Sequence, residues 1–351
     1  MSKVAVVGFT QTPHVRKTQD TTNGVEMLVP ILADALAQTG LSKSDIGFWC
    51  SGSSDYLAGR AFSFISAVDA LGAVPPINES HVEMDAAWAL YEAWVKIRTG
   101  EVDTALVYGF GKSSAGQLRR VLSLQLDPYV TAPLWPDSIS IAGLQARMGL
   151  ESGRWSEKDM AEVAARSLAD GASNPYAQRS GRVDIADLLD EPFFADPLRA
   201  HDVAPITDGA AVVVLAAEER AREIVERPAV ITGIEHRVDS PVLGARDLTR
   251  SPSTEAAGHA ADATGIEVAE LHAPFTHQEL ILRDALGLDD TVRINPSGGA
   301  LAGNPMFAAG LIRIGEAASR IIDGEASRLL AHATSGPALQ QNLVVVMEGL
   351  S

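Results

Sequence analysis

The chain opens on "VAVVGF" (Val4 to Phe9), a short unbroken apolar run with the pattern of a strand covered on both faces. "GVEMLVPILADALAQTG" follows with apolar residues at helical spacing, and Gly40 is placed to end that helix. "IGFWCSG" then reads as a strand, "AFSFISAVDALG" as a helix, "ESHVEMDAAWALYEAW" (Glu79 to Trp94) as a strand running into a helix, and "DTALVYGFG" as a strand. After "DGAAVVVLAA" the alternation returns. "PAVITGIEH", "VAELHAPF", "SRLLAHA" and "NLVVVMEG" read as strands, while "TEAAGHAADATG", "HQELILRDALG" and "PMFAAGLIRIGEAASRII" read as helices. A repeated parallel-sheet unit predicts two similar α/β halves packed together, 1–225 and 226–351. The segment 112–199 is inserted in the first as loops and helices that cover a site.

Composition narrows the class of function. With 46% hydrophobic and 21% charged residues, a chain of 351 residues buries a sizeable core and reads as a globular α/β enzyme. Its formal charge of −17 repels a nucleic-acid backbone, so nucleic acid is not an expected partner. An anionic coenzyme would need a local basic patch, helix N-termini or a partner subunit to offset that field. Cys50 is the sole cysteine, which removes intramolecular disulfides and multi-cysteine zinc patterns and fits a reducing cytoplasm. The opening residues lack the features of a targeting segment, and no apolar run approaches about 18 residues, so no membrane span is expected.

Candidate chemistry gathers at strand ends. "VVGFTQTPH" lacks the G-x-G-x-x-G turn of a dinucleotide site, and the chain has neither a phosphate-cradling P-loop nor a G-x-S-x-G elbow. His81, Glu83 and Asp85 alternate, and on one face of a strand a histidine with two carboxylates suits a divalent cation. The helix read here starts too early for that, so no metal is expected. Asp85 reads as the ordinary N-terminal acid of the helix. Asn304 precedes Pro305, a good first helical residue, and reads as a cap. His277 reads as structural or surface.

Four stretches, "PITDGAAVVVLAAEE", "VAELHAPFTHQELILRDALGL", "NPSGGALAGNP" and "LAHATSGPALQQNLVVV", in this order and spacing resemble the sterol-carrier-protein-X branch of the thiolase superfamily. The resemblance covers nearly the whole chain and implies a thiolase-like fold, two repeated α-β-α-β-α halves, usually dimeric. It also implies a nucleophilic cysteine at a helix N-terminus, a histidine in a G-H-P turn and a second acid/base residue near the C-terminus. Counting back from "GFGK", Glu83 stands at the cysteine position, and Asn304 stands where the family has the G-H-P histidine. Cys50 matches neither catalytic cysteine. Covalent acyl transfer is therefore not expected.

What the resemblance leaves is a set of polar groups: Glu83, His272 at the head of "HAPF", Asn304, and His332 in "HATSGP", read on the C-terminal loop. Tyr56 and Gly336 are expected to border the substrate. Some relatives, labelled lipid-transfer proteins, act as steroid side-chain aldolases. The implied function is retro-aldol cleavage of a β-hydroxyacyl-CoA, with coenzyme A entering only as part of the substrate and no separate cofactor. A base, Glu83 or a histidine, would take the hydroxyl proton, and Asn304 with N–H groups near Gly336 would hold the oxyanion. The alternatives are a non-catalytic thiolase-like subunit and a condensing or acyl-transferring enzyme with Glu83 as base. A homodimer through the strand Thr104 to Gly109, or a heteromer with a small zinc-ribbon/OB-fold protein, completes the expectation.

Overall fold

Residues 2–19, 23–55, 67–68, 70–72 and 76–350 are described by a computed structural model of the chain. The strands in chain order are β1 (Val4–Gln11), β2 (Phe48–Gly52), β3 (Glu79–Val82), β4 (Thr104–Lys112), β5 (Phe193–Ala195), β6 (Leu198–Arg199), β7 (Ile206–Ala217), β8 (Ala229–Val238), β9 (Val268–Leu271), β10 (Arg293–Ile294), β11 (Asn304–Pro305), β12 (Arg328–Ser335) and β13 (Gln341–Gly349). Among the described residues one sheet runs β10-β9-β12-β13-β8-β1-β7-β4-β2-β3, with β11 added beside β7. Ranked by chain position within its own half, each set of five strands has the same order, 3-2-4-5-1. The chain is therefore a duplicated α/β unit. The halves join where Val4 to Val6 of β1 pair antiparallel with Ile231 to Ala229 of β8.

Side-chain alternation builds the layers. Val4 and Val6 of β1, with Leu329, Ala331 and Ala333 of β12, point into one shared cluster with the helices Ala86–Arg98 and Ala309–Ile322. Ala5 and Val7 point the other way, against the helix Gly24–Thr39. On the far side, Leu330, Val344 and Val346 meet the helices Pro252–Ala260 and Thr276–Ala285. Five layers result, helix, sheet, two central helices, sheet, helix, because a strand buried on both faces must be apolar at every position.

The structure corrects several expectations. Thr104 to Tyr108 of β4 are buried, and β4 is paired on both edges, with β2 and β7, so this strand offers nothing to a second subunit. The helix read from Pro305 begins at Ala309. Asn304 and Pro305 instead pair with Ile206 and Thr207 as a short strand, and Phe307 turns the chain with φ 65°. Asn304 therefore caps nothing. Most of the helix read in "AFSFISAVDALG", and Tyr56, lie outside the described residues.

Candidate functional site

Strands β2, β3 and β4 run parallel to one another, as do β9, β10 and β12, and the polar groups of interest stand where such strands end. Ligands of open α/β sheets bind at the same place, because backbone groups and loops converge there. His272 leaves the end of β9. Its Nε2 lies 3.0 Å from Asn304 Oδ1, and the Thr334 backbone N–H points at Nδ1 at 3.4 Å. A backbone N–H can only donate, so Nδ1 carries the lone pair and Nε2 the proton, and Nε2–H donates to Asn304. The Asn304 oxygen, and not its NH₂, therefore faces His272. Burial pulls the His272 pKa down to about 4, so the ring is neutral near pH 7.

The loop carrying Asn304 is fixed from three sides. Asn304 N–H donates to Thr207 Oγ1 at 2.9 Å. Gly109 and Gly111 of β4 admit the loop at close range: an added Cβ would meet Phe307 O at 2.5 Å and Met306 O at 2.3 Å. Ala86 N–H donates to Phe307 O at 2.9 Å, tying the start of the first central helix to the same loop. Three residues before Ala86, Glu83 has a side chain 53% exposed, and its carboxylate accepts the Asp55 N–H at 3.0 and 3.2 Å. His81 Nε2 is 3.5 Å from Glu83 Oε2, and His81 Nδ1 is 3.0 Å from Ser51 Oγ.

Asp85 departs from its sequence reading. β3 ends at Val82, so Asp85 does not share a face with His81 and Glu83. It is buried, caps the first central helix through Ala87 N–H at 2.9 Å, and also accepts Gly310 and Leu311 N–H at 2.9 and 3.1 Å. One carboxylate heads both central helices.

His332 is not in a loop. It lies inside β12, fully buried, on the outer face with Leu330, bonded to Asn342 Oδ1 at 3.0 Å. Asn342 Nδ2 in turn donates to Ser253 Oγ at 2.7 Å and Leu339 O at 2.8 Å. Burial drops the His332 pKa to about 3, so it is a neutral structural group. His277 is likewise buried, 3.1 Å from Gln145 Oε1, with its pKa pulled to about 3. Gly336 turns the β12–β13 loop at φ 74°, where a Cβ would meet Gln340 Oε1 at 2.7 Å. Cys50 is buried in β2, and burial pushes its thiol up to about 12.

Sequence reasoning missed the support beneath His272. Glu270 and Arg313, both buried, pair at 2.9 Å. The Ser297 N–H and hydroxyl also donate to Glu270, at 3.1 and 2.7 Å. Asn295, at φ 50°, accepts Leu271 N–H at 2.6 Å and donates to Glu279 at 2.8 Å. Single charges inside the apolar runs "VAEL" and "GLIRIG" were the available signal, since a buried charge requires a partner. A cleft of about 610 Å³ opens elsewhere, between Arg166 and Arg283 of the outer helices, and shares no residue with this site.

No protein-family model matches the chain. Among curated relatives, an acetyl-CoA acetyltransferase of Methanothermobacter thermautotrophicus is 27% identical over 53% of the chain and 57% of the relative. Sterol carrier protein 2 of Gallus gallus is 24% identical over 90% of the chain and 65% of the relative. A 17-hydroxy-3-oxo-4-pregnene-20-carboxyl-CoA lyase of Mycobacterium tuberculosis is 25% identical over 65% and 61%. The chain thus spans less than two thirds of the length of these relatives. The solved structure of an Ltp2-ChsH2(DUF35) aldolase superposes with a TM-score of 0.82 over 99% of this chain and 97% of that one, at 18% identity. The fold is thiolase-like, and the likeness to sterol carrier protein 2 and to a steroid side-chain lyase supports the sterol-carrier-protein-X-like branch of the thiolase superfamily. In this thiolase-like fold the polar pair His272–Asn304 and the exposed Glu83 occupy loops at strand ends, while the only thiol is shut inside a strand. No helix among its described residues is long and apolar enough to cross a membrane.

Proposed function

We propose that the chain is a carbon–carbon lyase that cleaves a β-hydroxyacyl-CoA, such as a steroid side-chain thioester, by a retro-aldol reaction. The observation that carries this is the His272–Asn304 pair: a neutral imidazole donating to Asn304 Oδ1 holds the amide as a hydrogen-bond donor toward an oxyanion. Glu83 removes the β-hydroxyl proton. The Cα–Cβ bond then breaks, the hydroxyl carbon becomes a carbonyl, and the bond's electron pair becomes a thioester enolate whose oxygen Asn304 binds. Glu83 returns the proton to Cα, so the books balance without a nucleophile. That matches a chain whose one cysteine is buried away from the strand-end loops.

The relatives include both a transferase and a lyase by name, and the aldolase neighbour assembles with ChsH2(DUF35). On that support we assign a heteromer with a small zinc-ribbon/OB-fold protein, whose basic groups would offset the −17 charge around a phosphate-bearing thioester. The second reading is a non-catalytic thiolase-like subunit, favoured by the exposure of Glu83. Single-turnover incubation of the co-purified complex with β-hydroxyacyl-CoA esters, read by mass spectrometry, tests the choice. Ketone or aldehyde plus a shortened acyl-CoA supports the lyase, and an inert complex across steroid and straight-chain esters rejects it.

A further inference from the structure

Asp55, His81 and Glu83 stand just past or within the last residues of two neighbouring parallel strands, β2 and β3, with one potential ligand atom of each within 4.8 Å of the others. The 3.5 Å between His81 Nε2 and Glu83 Oε2 is the separation of two donors sharing a metal at about 2.1 Å with a tetrahedral opening, roughly 3.4 Å. The far side of the imidazole is held by Ser51 Oγ, and the Glu83 carboxylate is held by the Asp55 N–H. Outer contacts of this kind orient metal-ligating side chains. Next to Asp55 in the chain, Ser54 is 4% exposed and its buried hydroxyl has no hydrogen-bond partner among the described residues.

We infer that Asp55, His81 and Glu83 form a binding site for a divalent transition-metal cation of the Zn²⁺ class. Nε2 of His81 and one oxygen of each carboxylate are the ligands, and the remaining positions are open to water or a substrate oxygen. One imidazole with two carboxylates suits zinc, manganese or iron rather than a soft, thiolate-seeking ion. The Cys50 thiol does not compete, being buried and held protonated. Because Glu83 is also the proposed base, a bound cation ties that base up and slows cleavage. This consequence rests on the lyase reading, whereas the binding itself does not.

The full chain, stripped with chelator and dialysed, is titrated with Zn²⁺ by calorimetry and with Co²⁺ by visible absorption. One cation per chain is expected, with affinity at least tenfold lower in His81→Ala and Asp55→Asn. Ser51→Ala, which reaches the cation only through the ring, is expected to weaken binding severalfold. Circular dichroism checks that each variant folds, and if His81→Ala does not, Asp55→Asn decides. Equal affinity in Asp55→Asn, or well under one cation per chain, overturns the site and leaves a histidine–carboxylate pair. Cleavage is assayed in parallel: tight binding without inhibition removes Glu83 as base and leaves the metal site standing.

Discussion

Asp85 accepts the backbone N–H of Gly310 at 2.9 Å across 225 positions of sequence, so the acid that starts one central helix also starts the other. Its three N–H donors aim two helix N-termini at a single buried charge. Asp85→Asn leaves one acceptor oxygen for three donors and strands at least one of them away from water. The expected cost is about 2–3 kcal/mol, well above the loss of an ordinary exposed cap. Urea unfolding of the two proteins measures it, and a loss under about 1 kcal/mol would show that the helices do not depend on the shared cap.

The buried histidines set an acid limit. His14, His277 and His332 are drawn by burial to about 3, and His272 to about 4, from an unfolded value of 6.5. Below 6.5 the unfolded chain takes up protons that the native chain refuses, so stability falls as pH drops from about 6.5 toward 4. Each histidine contributes up to about 1.4 kcal/mol per pH unit. Denaturant midpoints between pH 7.5 and 4.5 check this, and His277→Gln is expected to flatten the slope by about one proton's worth. A midpoint flat from pH 7 to 5 contradicts the assignment.

The two halves were legible because strand burial leaves a local trace: "VAVVGF" and "NLVVVMEG" are apolar at each position for the same reason they lie between layers. Contacts set by tertiary proximity left no such trace. Nothing near Asp85 in sequence announces Gly310. Asn304 looked like a cap because Asn-Pro is a helix-start signal, yet β7 captured it as a strand and delayed the helix to Ala309. His332 was read one turn too far out because "HATSGP" reads as loop, whereas the ladder with β13 runs on to Ser335. The polar pair was half visible: both residues were named, but the Thr334 N–H that fixes the His272 tautomer was not.

Cys50 serves as a control on covalent chemistry. Its thiol is fully buried and pushed up to about 12, so almost no thiolate exists at neutral pH. Iodoacetamide is expected to leave turnover intact, with Cys50→Ser equally active. Inactivation of the wild type alone, prevented by substrate, would return a thiol to the mechanism.

Asn304 and His272 should separate into a donor and its holder. Asn304→Ala removes the amide proposed to bind the enolate oxygen and is expected to cost about 10²–10³-fold in turnover. Asn304→Asp should be at least as slow, since it sets a carboxylate against an oxyanion. His272→Ala leaves Asn304 present but free to rotate, and a loss nearer tenfold is expected. Single-turnover rates give the order, and an Asn304→Ala enzyme at wild-type speed removes the oxyanion assignment.

Glu83 is the proposed base. Its side chain is 53% exposed and is anchored by the Asp55 N–H, so it is held in place at the mouth of the loops. A positioned carboxylate can accept the hydroxyl proton as the carbon–carbon bond breaks in the same step. Glu83→Gln keeps the shape and an acceptor for Asp55 but cannot hold the proton, so turnover should fall by about 10²-fold or more. The bound-substrate Kd should stay close to wild type. Folding stability should change little, since an exposed side chain has few native contacts to lose. The matched control is Glu101→Gln, which removes an equally exposed carboxylate paired with Lys96 at 2.7 Å and should leave the rate unchanged. If Glu83→Gln cleaves a β-hydroxyacyl-CoA as fast as wild type, neither His272 nor His332 can replace it. His272 has both ring nitrogens engaged and His332 is sealed in β12, so the base would then be His81 or a group of the partner protein.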